Sequence, residues 1–265
     1  IENIMKTEFL DIIPLWLFFL TTIAVILLSV EAGYLMGNYR RKRSEQEKEA
    51  PVGAMVGAAL GLLAFMLAFT FGMATSRFDA SRQVLLDEAN AIGTTYLRAG
   101  LFAEPYRSEI RKLLREYVNV RLEGVNLNKY EEAVRKSEDL HAHLWAQATS
   151  LVETDPNSFI VGLFIQSLND TIDLHAKRVT VGLGRRIPVT IWIVLFIMTA
   201  LSLAAMGYHA GLSGTRRSLA ILPIALSFAL VILLIVDLDR PGKGLIGVSQ
   251  QAMIDLQKSM NTMPP

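Results

Sequence analysis

Residues 52–93 read VGAMVGAALGLLAFMLAFTFGMATSRFDASRQVLLDEANAIG, and their reading decides the fold. Up to Ser76 the stretch is apolar and studded with glycine and alanine. From Arg77 it turns charged, yet neither proline nor glycine interrupts it between Gly72 and Gly93. This predicts one helix that begins in hydrocarbon and continues into water, since a helix bonds its own backbone groups as it leaves the bilayer.

The rest of the chain fits that reading. Over 265 residues it is 52% hydrophobic and 19% charged, with mean hydropathy +0.36. That is too apolar for an ordinary soluble domain and too charged for a bare bundle of spans. Runs long enough to cross a hydrocarbon core, about 20 residues each, lie at roughly 12–36, 52–75, 187–208 and 219–236. The first exceeds the apolar segment of a signal peptide, and no small-x-small cleavage site precedes the charged run behind it. It is read as a span. Zero cysteine excludes disulfides, thiolate metal sites and cysteine nucleophiles, and a net charge of +1 gives no support for nucleic-acid binding.

The chain is therefore read as an all-α membrane protein with a helical soluble domain inserted between the second and third of four transmembrane helices. Residues 1–76 hold the first two spans and a basic connecting loop, and 77–186 a helical stalk domain. Residues 187–240 hold the third and fourth spans, and 241–265 form a tail. In the stalk, Ile110, Leu113, Leu114, Tyr117, Val118 and Leu122 recur at helical spacing between Pro105 and Gly124; Val134, Leu140, Leu144, Trp145 and Leu151 repeat the pattern. A further helix is expected from about Phe159, capped by Asp155 or Asn157 and running into the third span.

The first loop holds Arg40, Arg41, Lys42, Arg43 and Lys48, against a lone Lys6 before the first span. Arg216 and Arg217 sit in the loop between the last two spans. By the positive-inside rule both loops are cytoplasmic, which puts the stalk domain on the outer side of the membrane, although Arg77, Arg82, Lys177, Arg178, Arg185 and Arg186 flank the opposite face.

Within the second span Gly53, Gly57 and Gly61 recur every four residues, and Ala64, Ala68 and Gly72 prolong the strip. Small residues at this spacing let backbones approach closely in lipid, within a subunit or between subunits. Beside the strip stand Leu62, Phe65 and Phe69, which read either as packing or as an apolar constriction that gates by dewetting. Arg77 lies two turns beyond Phe69. Glu31 is a carboxylate inside the first span, with His209, Arg216 and Arg217 as candidate partners at the same membrane face. Asp237, Asp239 and Arg240 end the last span where Arg77, Asp79 and Arg82 leave the second and Arg185 and Arg186 enter the third; ion pairing that locks the stalks to the membrane bundle is the expected role, the mouth of an ion pathway the alternative. Pro241, Gly242 and Gly244 then redirect the chain. No nucleophile motif, phosphate-binding loop or metal-ligand spacing occurs, and His141, His143 and His175 lack it. The chain is not read as an enzyme, and no cofactor is implied.

The stretches GLLAFMLAFTFGMATSRFDASRQVLLDEANAIGTTYLRAG and DLDRPGKGLIGVSQQAMIDL resemble the bacterial bestrophin-like membrane proteins, over nearly the whole chain. Ser81 and Ala252 stand where the family pattern suggests arginine and proline. The resemblance implies kinship with bestrophins, pentameric anion channels whose four membrane helices flank a helical soluble domain. It implies that the second helix lines a pore, with Leu62, Phe65 and Phe69 at its apolar neck. No counterpart of the animal calcium clasp is recognisable, and the cytosolic soluble domain of bestrophins opposes the orientation read from the loops. The expected function is a homo-oligomeric anion channel in the lipid bilayer; the alternative is a non-conducting scaffold whose stalk binds another protein.

Overall fold

The computed structural model describes residues 14–43, 49–126, 129–184, 187–214, 221–240 and 245–262. Among these residues there are eight helices and no strand. In chain order they are α1 (Leu15–Arg43), α2 (Glu49–Ala99), α3 (Tyr106–Glu123), α4 (Tyr130–Thr154), α5 (Phe159–Gly184), α6 (Val189–Ser213), α7 (Ile221–Asp239) and α8 (Gln251–Thr262). Four of them, α1, α2, α6 and α7, are long and apolar enough to cross a membrane. At 51 residues, α2 is roughly 75 Å long, more than twice a hydrocarbon core of about 30 Å. Half of it must lie outside lipid. Arg40–Arg43 close α1, where positive charge also suits the carbonyl end of the helix dipole.

The chain divides into two compact units, one of residues 1–77 with 186–246 and one of 78–185 with 247–265. In the first, α1 and α6 run parallel with their backbones in contact. A β-carbon on Gly33 would collide with the carbonyl of Ala204, and one on Gly37 with that of Tyr208. Reciprocally, Gly207 lies on the Val30 carbonyl and Gly211 on that of Tyr34. These are two glycine pairs at four-residue spacing facing each other, the arrangement that lets van der Waals packing hold helices together in lipid. Phe18 meets Trp192 and Phe196 edge-on at 6.4 and 5.8 Å. Leu63 and Leu67 of α2 join Leu195, Ile232, Ile235 and Val236 in the same core. Gly214 closes α6 at φ +67°, a left-handed position that a side chain would strain.

The second unit packs the charged half of α2 with α3, α4, α5 and α8 around Tyr96, Tyr117, Phe164, Ile92, Ile110, Leu114, Leu144 and Leu168, all fully buried. Each such side chain contributes about 1.5–3 kcal/mol by leaving water. Pro105 and Gly124 flank α3 as the sequence predicts. The segment from Gly247 also groups with this unit. Its α8 buries Met253 and Met260, and the Met260 carbonyl accepts from Tyr96 Oη at 3.2 Å.

Three expectations are corrected. The helix from Phe159 does not run into the third span: α5 ends at Gly184, and Pro188 stands at the start of α6. Proline lacks the N–H and disfavours helical geometry at the residue before it, here Ile187, which is not helical. The start of α5 is met by Ser158 Oγ, which accepts from the Val161 N–H at 3.5 Å, rather than by Asp155 or Asn157. Trp145, placed on the apolar face of α4, is 43% exposed, and His141 is buried in that helix instead.

Candidate functional site

The two faces of α2 in the membrane unit differ. Val56, Leu63, Leu67, Thr70 and Ala74 turn inward and are buried. Leu62, Phe65 and Phe69 are 55%, 65% and 55% exposed. Gly57, Gly61 and Gly72 have no described atom of another element within 4 Å of where a β-carbon would stand. Gly53 differs: a β-carbon there would lie 3.1 Å from His209 Nε2. Beside this face Val52, Met55, Val56, Ala59 and Leu62 line an open apolar groove of about 570 Å³ with Met198, Leu201 and Tyr208 of α6. Ser202 Oγ of α6 donates to the Ala59 carbonyl at 3.2 Å.

The charges at the end of α7 are engaged. Asp239 is buried and accepts from Arg77 Nη1 at 3.0 Å and from the Ile187 N–H at 3.0 Å. It joins the end of α7 to α2 and to the start of the α6 segment. Asp237 accepts from the N–H groups of Leu245 and Ile246 at 2.6 and 2.9 Å; between them come Pro241, Gly242 and Gly244, which are expected to redirect the chain. Those three residues lie outside the described residues, as do Arg185, Arg186, Arg216 and Arg217. Arg240 is buried, Asp79 and Arg82 are exposed, and Glu31 is half-buried one residue past the Val30–Gly207 contact.

A cluster in the second unit escaped the sequence reading. Glu88 of α2 is 0% exposed and sits between two guanidiniums, 2.9 Å from Arg121 Nε of α3 and in contact with Arg178 Nη1 of α5. Tyr117 Oη donates to Glu88 Oε1 at 2.9 Å and lies 3.2 Å from His175 Nδ1. The tyrosine has one proton and the ionised carboxylate can only accept it, so toward His175 the phenol oxygen accepts and Nδ1 donates. The His141 ring, from α4, lies 4.8 Å from Tyr117 and 4.9 Å from His175. Arg178 also donates to Gln250, ahead of α8, at 3.0 Å. Burial pushes the Glu88 carboxyl up, but Arg121, Arg178 and the Tyr117 bond outweigh it and hold it below the usual range. Burial, with Arg121 nearby, lowers His141 to about 4 and His175 to about 3. Both imidazoles are neutral at pH 7. Nothing in the spacing of Glu88, Tyr117, Arg121, His141, His175 and Arg178 along the chain announces that they converge; only Arg121 on an otherwise apolar stripe hinted at it.

Among the described residues no group of three His, Asp or Glu side chains could hold a metal. The four apolar helices and the helical second unit define a multi-pass membrane protein. The chain belongs to the bestrophin-like family: the family's Bestrophin-like domain matches residues 22–253. No curated protein matches. Among solved structures it is similar to the bestrophin homologue of Klebsiella pneumoniae. The form phased on zinc has TM-score 0.65 at 13% identity, covering 95% of this chain and 100% of that one. One point variant gives 0.66 at 14%, over 94% and 99%; another gives 0.64 at 15%, over 91% and 98%. At these identities the likeness is one of fold.

Proposed function

We propose that this chain is the subunit of a homo-oligomeric membrane channel, most simply a pentamer, that conducts anions along a pore lined by α2. The observation that carries the reading is the outward face of α2. Its Gly57, Gly61 and Gly72 meet nothing among the described residues, whereas the glycines of α1 and α6 are spent on each other. Small residues kept clear on a membrane helix suit the approach of another copy, and cyclic closure lets every subunit present the same face. Leu62, Phe65 and Phe69, exposed beside them, then form an apolar ring. Membership of a family that resembles bestrophin anion channels supports the same reading. Arg77 is paired with Asp239 but its side chain keeps 26% of its surface, so it offers a weakened positive edge to anions at the pore mouth.

The test is to count subunits in the purified protein and record currents across planar bilayers in asymmetric chloride. Anion-selective current from a closed oligomer is the expected result. An oligomer that never conducts would favour the scaffold reading, in which the helical unit binds a partner protein.

A further inference from the structure

The Glu88 cluster is more than a salt bridge. Four helices each bring a titratable group into one core: Glu88 from α2, Tyr117 and Arg121 from α3, His141 and Tyr130 from α4, His175 and Arg178 from α5. The segment before α8 adds only neutral Gln250, bonded to Arg178. One carboxylate faces two guanidiniums, so the cluster carries one surplus positive charge before either imidazole takes a proton. That surplus repels a metal ion from the two histidines. Yet His175 Nε2 and His141 Nε2 are both buried without a hydrogen-bond partner among the described residues, and the donation from His175 Nδ1 leaves its Nε2 a bare lone pair. A buried polar atom left unpaired in this way has given up its hydrogen bonds to water without replacing them.

We propose that this cluster is an acid-operated latch, in which protonation of the His141–His175 pair releases α4 from α2, α3 and α5, and neutral pH holds it shut. The asymmetry of the contacts selects α4. Helices α2, α3 and α5 are tied together through Glu88, by Arg121, Tyr117 and Arg178. From α4, the His141 ring meets Tyr117 and His175 through ring contacts and Tyr130 feels the charge of Arg121; among the described residues neither makes a hydrogen bond to the cluster. A proton on either imidazole adds a charge beside Arg121 with no further carboxylate to balance it. Moving α4 away takes His141 to water and uncovers His175, against the loss of the apolar packing of Leu140, Leu144 and Leu151. The inference concerns the helical unit and stands whether or not the chain conducts.

Ser137 is fully buried on α4, one turn before His141, and Ala142 on the same helix is exposed. With no native cysteine, Ser137→Cys reports opening and Ala142→Cys reports the chemistry of an open thiol. Both are titrated in the full-length protein with a pyridyl disulfide reagent that reacts at acid pH. If open imidazoles titrate near 6.5 and closed ones near 4 or below, one imidazole alone raises the open population about 30-fold between about pH 7.5 and pH 5. The expected result is therefore a rise of about 30-fold or more in the Ser137→Cys rate relative to Ala142→Cys. With His141→Phe and His175→Gln added, the ratio should stay flat. A flat ratio without those changes, or the same rise with them, overturns the latch. Hydrogen exchange of the unsubstituted chain decides the matter should the double variant be unprotected at neutral pH. Loss of protection on acidification confined to 130–154 supports the latch; loss shared equally by α2, α3 and α5, or none, sinks it.

Discussion

At the scale of single residues, Glu88 is a fully buried carboxylate that depends on its neighbours. A carboxylate out of water loses several kcal/mol of hydration, recovered only while its partners stay in place. Glu88→Gln leaves Arg121, itself buried, beside a neutral amide. We expect a loss of about 3–5 kcal/mol in denaturant unfolding of the purified protein. Adding Arg121→Met should restore part of it, because removing both partners leaves no orphan charge. A loss below about 1 kcal/mol would mean that the pair is solvated. Tyr117→Phe deletes only the phenol bonds and should cost about 1–2 kcal/mol. The pH dependence follows from the directions of the shifts. Below about 6.5 the unfolded imidazoles bind protons that the folded ones, at about 4 and about 3, do not. The unfolded state then holds more protons, so stability present above that pH is lost as it falls, by up to about 1.4 kcal/mol per pH unit for each imidazole. Glu88, held below its ordinary 4.5, adds its own loss only at lower pH. Unfolding midpoints at about pH 7.5 and pH 5.5 should therefore differ, and His141→Phe should shrink the difference. Equal midpoints would show that the imidazoles are not buried in solution.

At the scale of helices, two sets of glycines at the same spacing have opposite surroundings. Gly33, Gly37, Gly207 and Gly211 lie against backbone of the facing helix, so Gly211→Leu should force α1 and α6 apart and prevent folding. Gly57→Leu and Gly61→Leu meet open space, and the subunit should fold while the oligomer falls apart. Size-exclusion chromatography in mild detergent with helical content by circular dichroism separates the two. An intact oligomer with leucine at Gly57 and Gly61 would show that this strip faces lipid. The same contrast explains what was legible in the sequence. The four apolar helices and the length of α2 follow from runs of hydropathy and from where glycine and proline are missing, which are local properties. The strip in α2 was visible because it repeats over several turns. The pairs in GYLMG and GYHAG carry the same four-residue signal, but each is short, and a partner about 170 positions away cannot be read from one helix. The tail's α8 went unread because it is short, and its apolar residues Ala252, Met253, Ile254, Leu256 and Met260 make no sustained helical stripe. The Glu88 cluster is the hardest case. Its members come from four helices, and a buried arginine or histidine looks like a surface one until its partner is in place.

At the scale of the whole molecule, orientation and conduction each have a direct test. The basic last turn of α1 at Arg40–Arg43 argues for a helical unit on the outer side, against the cytosolic arrangement of bestrophins. Ser137 is buried, so the thiol for a topology experiment belongs at exposed Ala142. Ala142→Cys should react with an impermeant maleimide in intact cells; labelling only after lysis would restore the bestrophin orientation. Conduction turns on Phe65 and Phe69. Four residues apart on α2, they lie within about 40° of one another around the helix, and both are exposed in the single chain. Facing an axis between copies, they would make a ring with no polar atom to replace an ion's water. Such a ring resists passage, because an ion entering it sheds hydration and gains no ligand. Replacing both by alanine should widen and wet the ring without disturbing the inward face, whose Leu63 and Leu67 stay buried. We expect chloride flux into liposomes carrying Phe65→Ala with Phe69→Ala to exceed that of the unsubstituted protein, with the same oligomer size. Raising the salt should reduce any preference for anions that the exposed edge of Arg77 confers, since a surface charge is screened within about 10 Å at 0.1 M. Equal flux from intact oligomers would place the constriction elsewhere. No flux from either would remove the pore and leave α2 as the assembly helix of a scaffold.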